Sequence, residues 1–61
     1  MLKKAIEINS GDLVRFPGVR GLLTVREIQP YVDVEGKRQL YILDTLGLVR
    51  SFAPNEEVEV L

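Results

Sequence analysis

Three residue types that often carry chemistry are missing from this sequence: it has no cysteine, no histidine and no tryptophan. Without cysteine, disulfides cannot support the fold, and without cysteine or histidine the usual zinc sites are excluded. There is no thiol nucleophile and no imidazole base, and Ser10 and Ser51 have no evident partner to activate them. No apolar run approaches the roughly 20 residues that a membrane-crossing helix needs. The opening MLKKAIEINSGD carries lysines but no apolar stretch behind them, so it does not read as a secretory signal. Neither sign of charge dominates: eight Lys and Arg face nine Asp and Glu, for a net charge of −1. That balance argues against a dedicated nucleic-acid binder, which normally carries a basic excess.

What remains is a 61-residue chain that is 46% hydrophobic, enough for one folded domain over residues 1–61 and too apolar for disorder. A cytoplasmic protein without a cofactor is the expectation. A core this small is marginal, so the chain needs dense packing or a partner.

The apolar residues alternate or come in short runs broken by turn residues, which is the pattern of a small all-β domain. Strands are expected over 3–8, 12–16, 22–28 resuming at 31–34, 38–44, 48–52 and 57–61. Turns fall at NSGD (9–12), PGVRG (17–21), EGK (35–37) and DTLG (44–47), where Asn, Asp and Gly suit turn backbones. Gln29-Pro30 is expected to interrupt the ladder, because proline has no N–H to donate. APNEE (53–57) reads as one turn of 3₁₀ helix before the last strand. The expected core is Val14, Phe16, Leu23, Val25, Val32, Val34, Leu40, Ile42, Phe52, Val58 and Val60. Five or six short antiparallel strands with one 3₁₀ turn before the last strand point to a small SH3-like barrel, whose closure would remove exposed edges. An open sheet that dimerises through an edge is the alternative.

The segments GDLVRF, GLLTVREI and VRSFAPNEEVEVL resemble the pattern of small bacterial YodC-like proteins over residues 11–60. The loop departs from that pattern, with Pro17-Gly18-Val19-Arg20-Gly21 where the family has a Gly-Gly-Pro segment, and Tyr41-Ile42 stands where a tryptophan is common. The ending is also similar to that of the PsaE subunits of photosystem I, another SH3-like barrel. These resemblances imply a fold and no particular activity.

Four features could carry function. The PGVRG loop has the glycines of a phosphate cradle, but a strand follows it where such cradles have a helix, so it reads as a bend with Arg20 exposed at its tip. Arg15, Arg26 and Arg50 would form a basic stripe if they lay on outward faces of adjacent strands. Beside Tyr31 or Tyr41 such a stripe could stack single-stranded bases. Otherwise the arginines pair with Glu7, Glu27 and Asp33 across strands. Leu13, Leu22, Tyr41 and Leu43, with Leu46, Leu48 and Val49, form a second apolar face that one barrel cannot bury. It marks a partner surface, unless bulges near Glu27 and Leu46 turn it inward. Asp12, Asp33 and Asp44 border turns, where aspartate bonds backbone N–H groups. The expectation is a non-catalytic protein-interaction module, a small adaptor or accessory subunit, using Arg20, Tyr31, Tyr41 and Leu43. Its partner would be another protein or a second copy of the chain. The alternative is a nucleic-acid-binding barrel using Arg15, Arg26 and Arg50.

Overall fold

In the computed structural model, which describes residues 1–61, the alternating segments pair into one antiparallel sheet of six strands. These are β1 (Leu2–Lys4), β2 (Leu13–Arg15), β3 (Leu23–Val32), β4 (Arg38–Asp44), β5 (Val49–Phe52) and β6 (Glu57–Val60). Their spatial order is β1-β6-β2-β3-β4-β5. Strands β2 to β5 follow one another as a meander, and the chain then returns to lay β6 beside β2, with β1 outside it. β1 and β5 are the two edges, so hydrogen bonds do not close the sheet into a barrel. The sheet is strongly bent all the same. Phe16, just after β2, and Phe52, ending β5, bring their ring centroids to 5.5 Å although β3 and β4 lie between their strands.

The two long hairpins turn by one device, written twice as Asp-x-x-Gly-x. In the first, Asp33 Oδ1 accepts the N–H groups of Glu35 and Lys37, each at 2.9 Å, and Gly36 N–H bonds Asp33 O. In the second, Asp44 Oδ1 accepts those of Leu46 at 2.9 Å and Leu48 at 2.7 Å, and Gly47 N–H bonds Asp44 O. Gly36 and Gly47 sit at φ of 80° and 89°, a region that side chains resist.

The 3₁₀ turn is not where the sequence suggested. Residues 53–56 close on one backbone bond, from Glu56 N–H to Ala53 O, and β6 begins at once. The 3₁₀ turn is instead Ala5–Glu7, directly after β1, so the strand expected over 3–8 ends at Lys4. This turn is docked: Ala5 N–H donates to Glu56 O at 2.8 Å and Ile6 N–H to Pro54 O at 3.1 Å. Docking buries Ala5 and Ile8, two core residues that the alternation of the strands did not reveal.

Pro30 does not break the third strand. After a bulge between Val25 and Glu27, β3 pairs with β4 alone through Val32↔Arg38. Asp33 N–H bonds Lys37 O just beyond the strand ends, so the bonding positions toward β4 are the odd residues of β3. Pro30 is even-numbered, its nitrogen points away from β4, and no ladder bond is lost.

The core consists of Ala5, Ile8, Val14, Phe16, Leu23, Val25, Leu40, Ile42, Phe52, Val58 and Val60. Each fully buried Val, Leu, Ile or Phe contributes about 1.5–3 kcal/mol of transfer free energy. Val32 and Val34, expected inside, are 65% and 104% exposed. The bulge keeps Val32 on the same side as Ile42 and Leu40, but the hairpin by then has run past the end of the core, and Val34 belongs to the turn. No helix is long and apolar enough to cross a membrane.

Candidate functional site

The overhang of the β3–β4 hairpin creates the most apolar concavity in the molecule. Pro30 pairs with Leu40 and Val32 with Arg38, so these four side chains share the inner side of the hairpin. The docked 3₁₀ turn and the 53–56 turn face them with Ile6 and Pro54, and Tyr31 and Gln39 complete the lining. The groove holds about 330 Å³. Ile6 and Val32, 63% and 65% exposed, are large apolar residues left in water there. Arg38 is the one charged residue of the lining and makes no ion pair.

The opposite face of the same hairpin carries the tyrosines. Tyr31 stacks on Tyr41 with ring centroids 4.0 Å apart and planes 9° from parallel. The Tyr31 hydroxyl reaches Ser51 Oγ on β5 at 2.7 Å. The adjacent Tyr31 hydroxyl, first by hydrogen bonding and then by its charge, pushes the Tyr41 hydroxyl above the ordinary value of 10.0, and desolvation adds to it. Leu43 is half-buried opposite Glu27 and Val49 on this side, so Tyr31, Tyr41 and Leu43 do share a face. Leu13, Leu22 and Val49 stay more than a third exposed and Leu46 is largely in water, while Leu48 packs against the core. The bulge at Glu27 therefore does not absorb the second apolar face, and Leu46 lies in an ordinary hairpin turn.

Arg20 is placed elsewhere. It lines a broad open depression with Arg15, Phe16, Pro17, Gly18, Val19 and Glu59, at the other end of β3 from Tyr31. Val19 N–H bonds Phe16 O across Pro17-Gly18, and Gly18 and Gly21 hold φ of 76° and 80°, so this segment is a bend leading into a strand.

The three arginines of the expected stripe do not line up. Arg15 on β2 pairs with Glu59 of β6 at 3.9 Å, and Arg26 in the bulge pairs with its neighbour Glu27 at 3.4 Å. Arg50 lies opposite Ile42 and so has core-side parity, the reverse of Tyr41 and Ser51. The cross-strand pairs expected with Glu7 and Asp33 do not form either. Glu7 Oε1 accepts Lys4 N–H, and Asp33 serves its own turn.

Most carboxylates have structural employment. Besides Asp33, Asp44 and Glu7, Asp12 Oδ2 accepts Asn9 N–H at 2.9 Å and Glu56 Oε1 accepts Ala53 N–H at 3.3 Å. The Lys37 N–H, with that of Glu35 and the Gln39 amide, holds the Asp33 carboxyl below the ordinary aspartate value of 3.8 against the opposing effect of desolvation. Asp44 is the one buried charged residue, and sequence reasoning placed it only as a turn cap. Its Oδ1 does cap the turn, while Oδ2 has no partner. No three of the Asp and Glu side chains come together as a metal site.

The residues that sequence reasoning missed are Ile6, Pro54 and Arg38. They come from three distant segments, and only the docking of the N-terminal turn brings them to one groove. No known family, curated protein or solved structure matches the chain.

Proposed function

We propose that the chain is a non-catalytic protein-interaction module that binds its partner through the groove between Ile6, Pro54 and the inner side of the β3–β4 hairpin. The observation that carries this reading is the groove itself: an apolar lining of Ile6, Pro30, Val32, Leu40 and Pro54 left open to water around a single free cation, Arg38. Large apolar side chains left exposed together on a small domain mark a contact surface. The engagement of five carboxylates in backbone capping supports a scaffold rather than a reaction centre.

The return of β6 to β2 after the β2–β5 meander supports an SH3-like arrangement, bent but hydrogen-bonded on only one side of its seam. On this reading the resemblance to YodC-like proteins is one of architecture, with β1 and its 3₁₀ turn as an addition. Tyr31 borders the groove, but its ring lies with Tyr41 and Leu43 on the face behind it. Arg20 lies outside it.

The test is binding by variants of the groove. Val32→Ser and Ile6→Ser both alter exposed side chains and leave the core intact. Each is expected to weaken binding of a natural partner at least several-fold while the thermal midpoint stays within a few degrees of the parent. Partners that bind both variants like the parent would place the contact surface elsewhere.

A further inference from the structure

Beyond Glu27, β3 has a neighbour on one side only. Its odd residues bond β4, so the N–H and C=O groups of Ile28 and Val32 and the C=O of Pro30 point to the open side. The one bond on that side nearby is from Ser10 Oγ to Arg26 O at 2.7 Å, which ends the covered stretch. An exposed row of unpaired backbone groups is a template for another strand. The apolar groove starts at the same residues, Pro30, Tyr31 and Val32.

We propose, building on the interaction-module reading above, that this β3 edge takes up an extended peptide segment of another protein by strand addition, with apolar side chains entering the groove and an acidic side chain meeting Arg38. Strand addition takes affinity from main-chain bonds and specificity from alternate side chains in pockets. Two observations identify the occupant. Arg38 is the only charged residue of the groove, with no carboxylate beside it, so the complementary segment carries a negative charge. Pro30 sits in the middle of the edge, which disfavours a second copy. In a two-fold antiparallel pairing centred there, Pro30 would meet Pro30, with two rings in contact and no donor on either side. A different chain bonds Ile28 and Val32 fully and can still donate one N–H to the Pro30 carbonyl.

The probe is a displayed library of random linear peptides, selected on the folded chain and again on Arg38→Glu, a variant altered at an exposed position. Selection on the parent is expected to enrich peptides that alternate apolar residues and carry Asp or Glu. On Arg38→Glu, the preferred charge should change to Lys or Arg. With the best peptide synthesised and present at saturation, amide exchange at Ile28 and Val32 should slow roughly tenfold or more, as for amides newly bonded in a strand. Peptides that bind without slowing those two amides would overturn strand addition while leaving the interaction reading intact. An acid preference unchanged in Arg38→Glu would overturn the role of Arg38. Slowing of the same amides in concentrated protein alone would make a second copy the occupant and overturn the proposal. Failure to enrich any peptide would count against the interaction reading itself.

Discussion

Tyr31 lies against Tyr41 across the β3–β4 pairing, ring on ring at 4.0 Å, and extends its hydroxyl to Ser51 on the next strand at 2.7 Å. One side chain thus ties three strands together on the face behind the groove. Aromatic pairs contribute about 0.5–1.5 kcal/mol beyond the area they bury, and a neutral hydrogen bond contributes about 0.5–1.5 kcal/mol net. Tyr31→Phe keeps the stack and loses the hydroxyl with its bond to Ser51. Tyr31→Ala loses both. Urea unfolding should therefore rank the parent above Tyr31→Phe and Tyr31→Phe above Tyr31→Ala. A double-mutant cycle of Tyr31→Phe with Ser51→Ala should show coupling. Equal destabilisation by the two Tyr31 variants would mean that the stack contributes nothing.

The same contact has an alkaline signature. The folded-state value of Tyr41 is raised above 10.0, first by Tyr31. A group that holds its proton more tightly when folded stabilises the fold at pH below the unfolded value, and that contribution is lost as the pH rises through the raised value. Absorbance titration should show one tyrosine ionising later than a free tyrosine, and Tyr31→Phe should bring Tyr41 back toward the ordinary value. A Tyr41 titration unmoved by Tyr31→Phe would detach the shift from the stacked pair.

Asp33 and Asp44 perform the same bonds in different surroundings, and their removal should differ accordingly. Each caps two backbone N–H groups, but Asp44 is 1% exposed and Asp33 sits in a solvent-facing turn. Asp44→Ala strands the Leu46 and Leu48 amides at a partly buried site and should cost about 1.5–3 kcal/mol, the range for bonds to a charged acceptor. Asp33→Ala should cost less. Asp33 also has an acid signature. Its folded-state value is lowered, so its contribution is complete above the ordinary 3.8 and is lost as the pH falls below that through the lowered value. Asp33→Asn should accordingly narrow the gap to the parent as the pH drops through that window. A gap that stayed constant would contradict the assignment.

These turns were legible in the sequence because their determinants are local: an aspartate, a glycine three residues on, and alternating apolar residues at each side. The core was legible wherever alternation ran inside the sheet, as at Val14, Leu23, Val25, Leu40, Ile42, Val58 and Val60. Local signals failed where the outcome depended on length or docking. Val32 keeps the correct parity and is exposed only because the hairpin outgrows the core. The segments 4–7 and 53–56 carry the same cue, a glutamate that caps the N–H three residues back, yet only the first coils into a 3₁₀ helix. The first is also the one that docks, with Ala5 fully buried and its N–H bonded to Glu56 O. The groove was illegible for the same reason, since Ile6, Arg38 and Pro54 become neighbours only after that docking. Tyr31 was legible as a surface aromatic, but its separation from Arg20 was not.

The bonding parity of β3 can be read directly by amide exchange in the free protein. Gln29 and Tyr31 face β4, opposite Tyr41 and Gln39, whereas Ile28 and Val32 face the open edge. Exchange should alternate along the strand, slow at Gln29 and Tyr31 and faster at Ile28 and Val32, by about an order of magnitude or more. Uniform protection from Ile28 to Val32 would mean that the open edge is covered in solution. That result would remove the basis for strand addition before any peptide is tried.

The N-terminal segment is the last structural element whose role can be isolated. Ala5 is fully buried and Ile8 is 3% exposed, and both belong to the same core cluster as Phe52 and Val58. Met1 adds reciprocal bonds to Val60, its amino group to Val60 O at 3.0 Å and its carbonyl to Val60 N–H at 2.7 Å. The segment is thus held to β6 and to the 53–56 turn and fills part of the core. Ile8→Ala removes buried methylenes from that core and should cost about 2–5 kcal/mol, a large share of the stability of so small a domain. Ile6→Ala changes the neighbouring but exposed side chain and should cost well under 1 kcal/mol. The two variants then separate packing from recognition. Ile8→Ala should lower the urea midpoint and, where still folded, keep the groove's binding, whereas Ile6→Ala should keep the midpoint and weaken binding. Equal midpoints for the two would show that the N-terminal turn does not pack into the core as described, and the groove that it walls would lose its shape along with it.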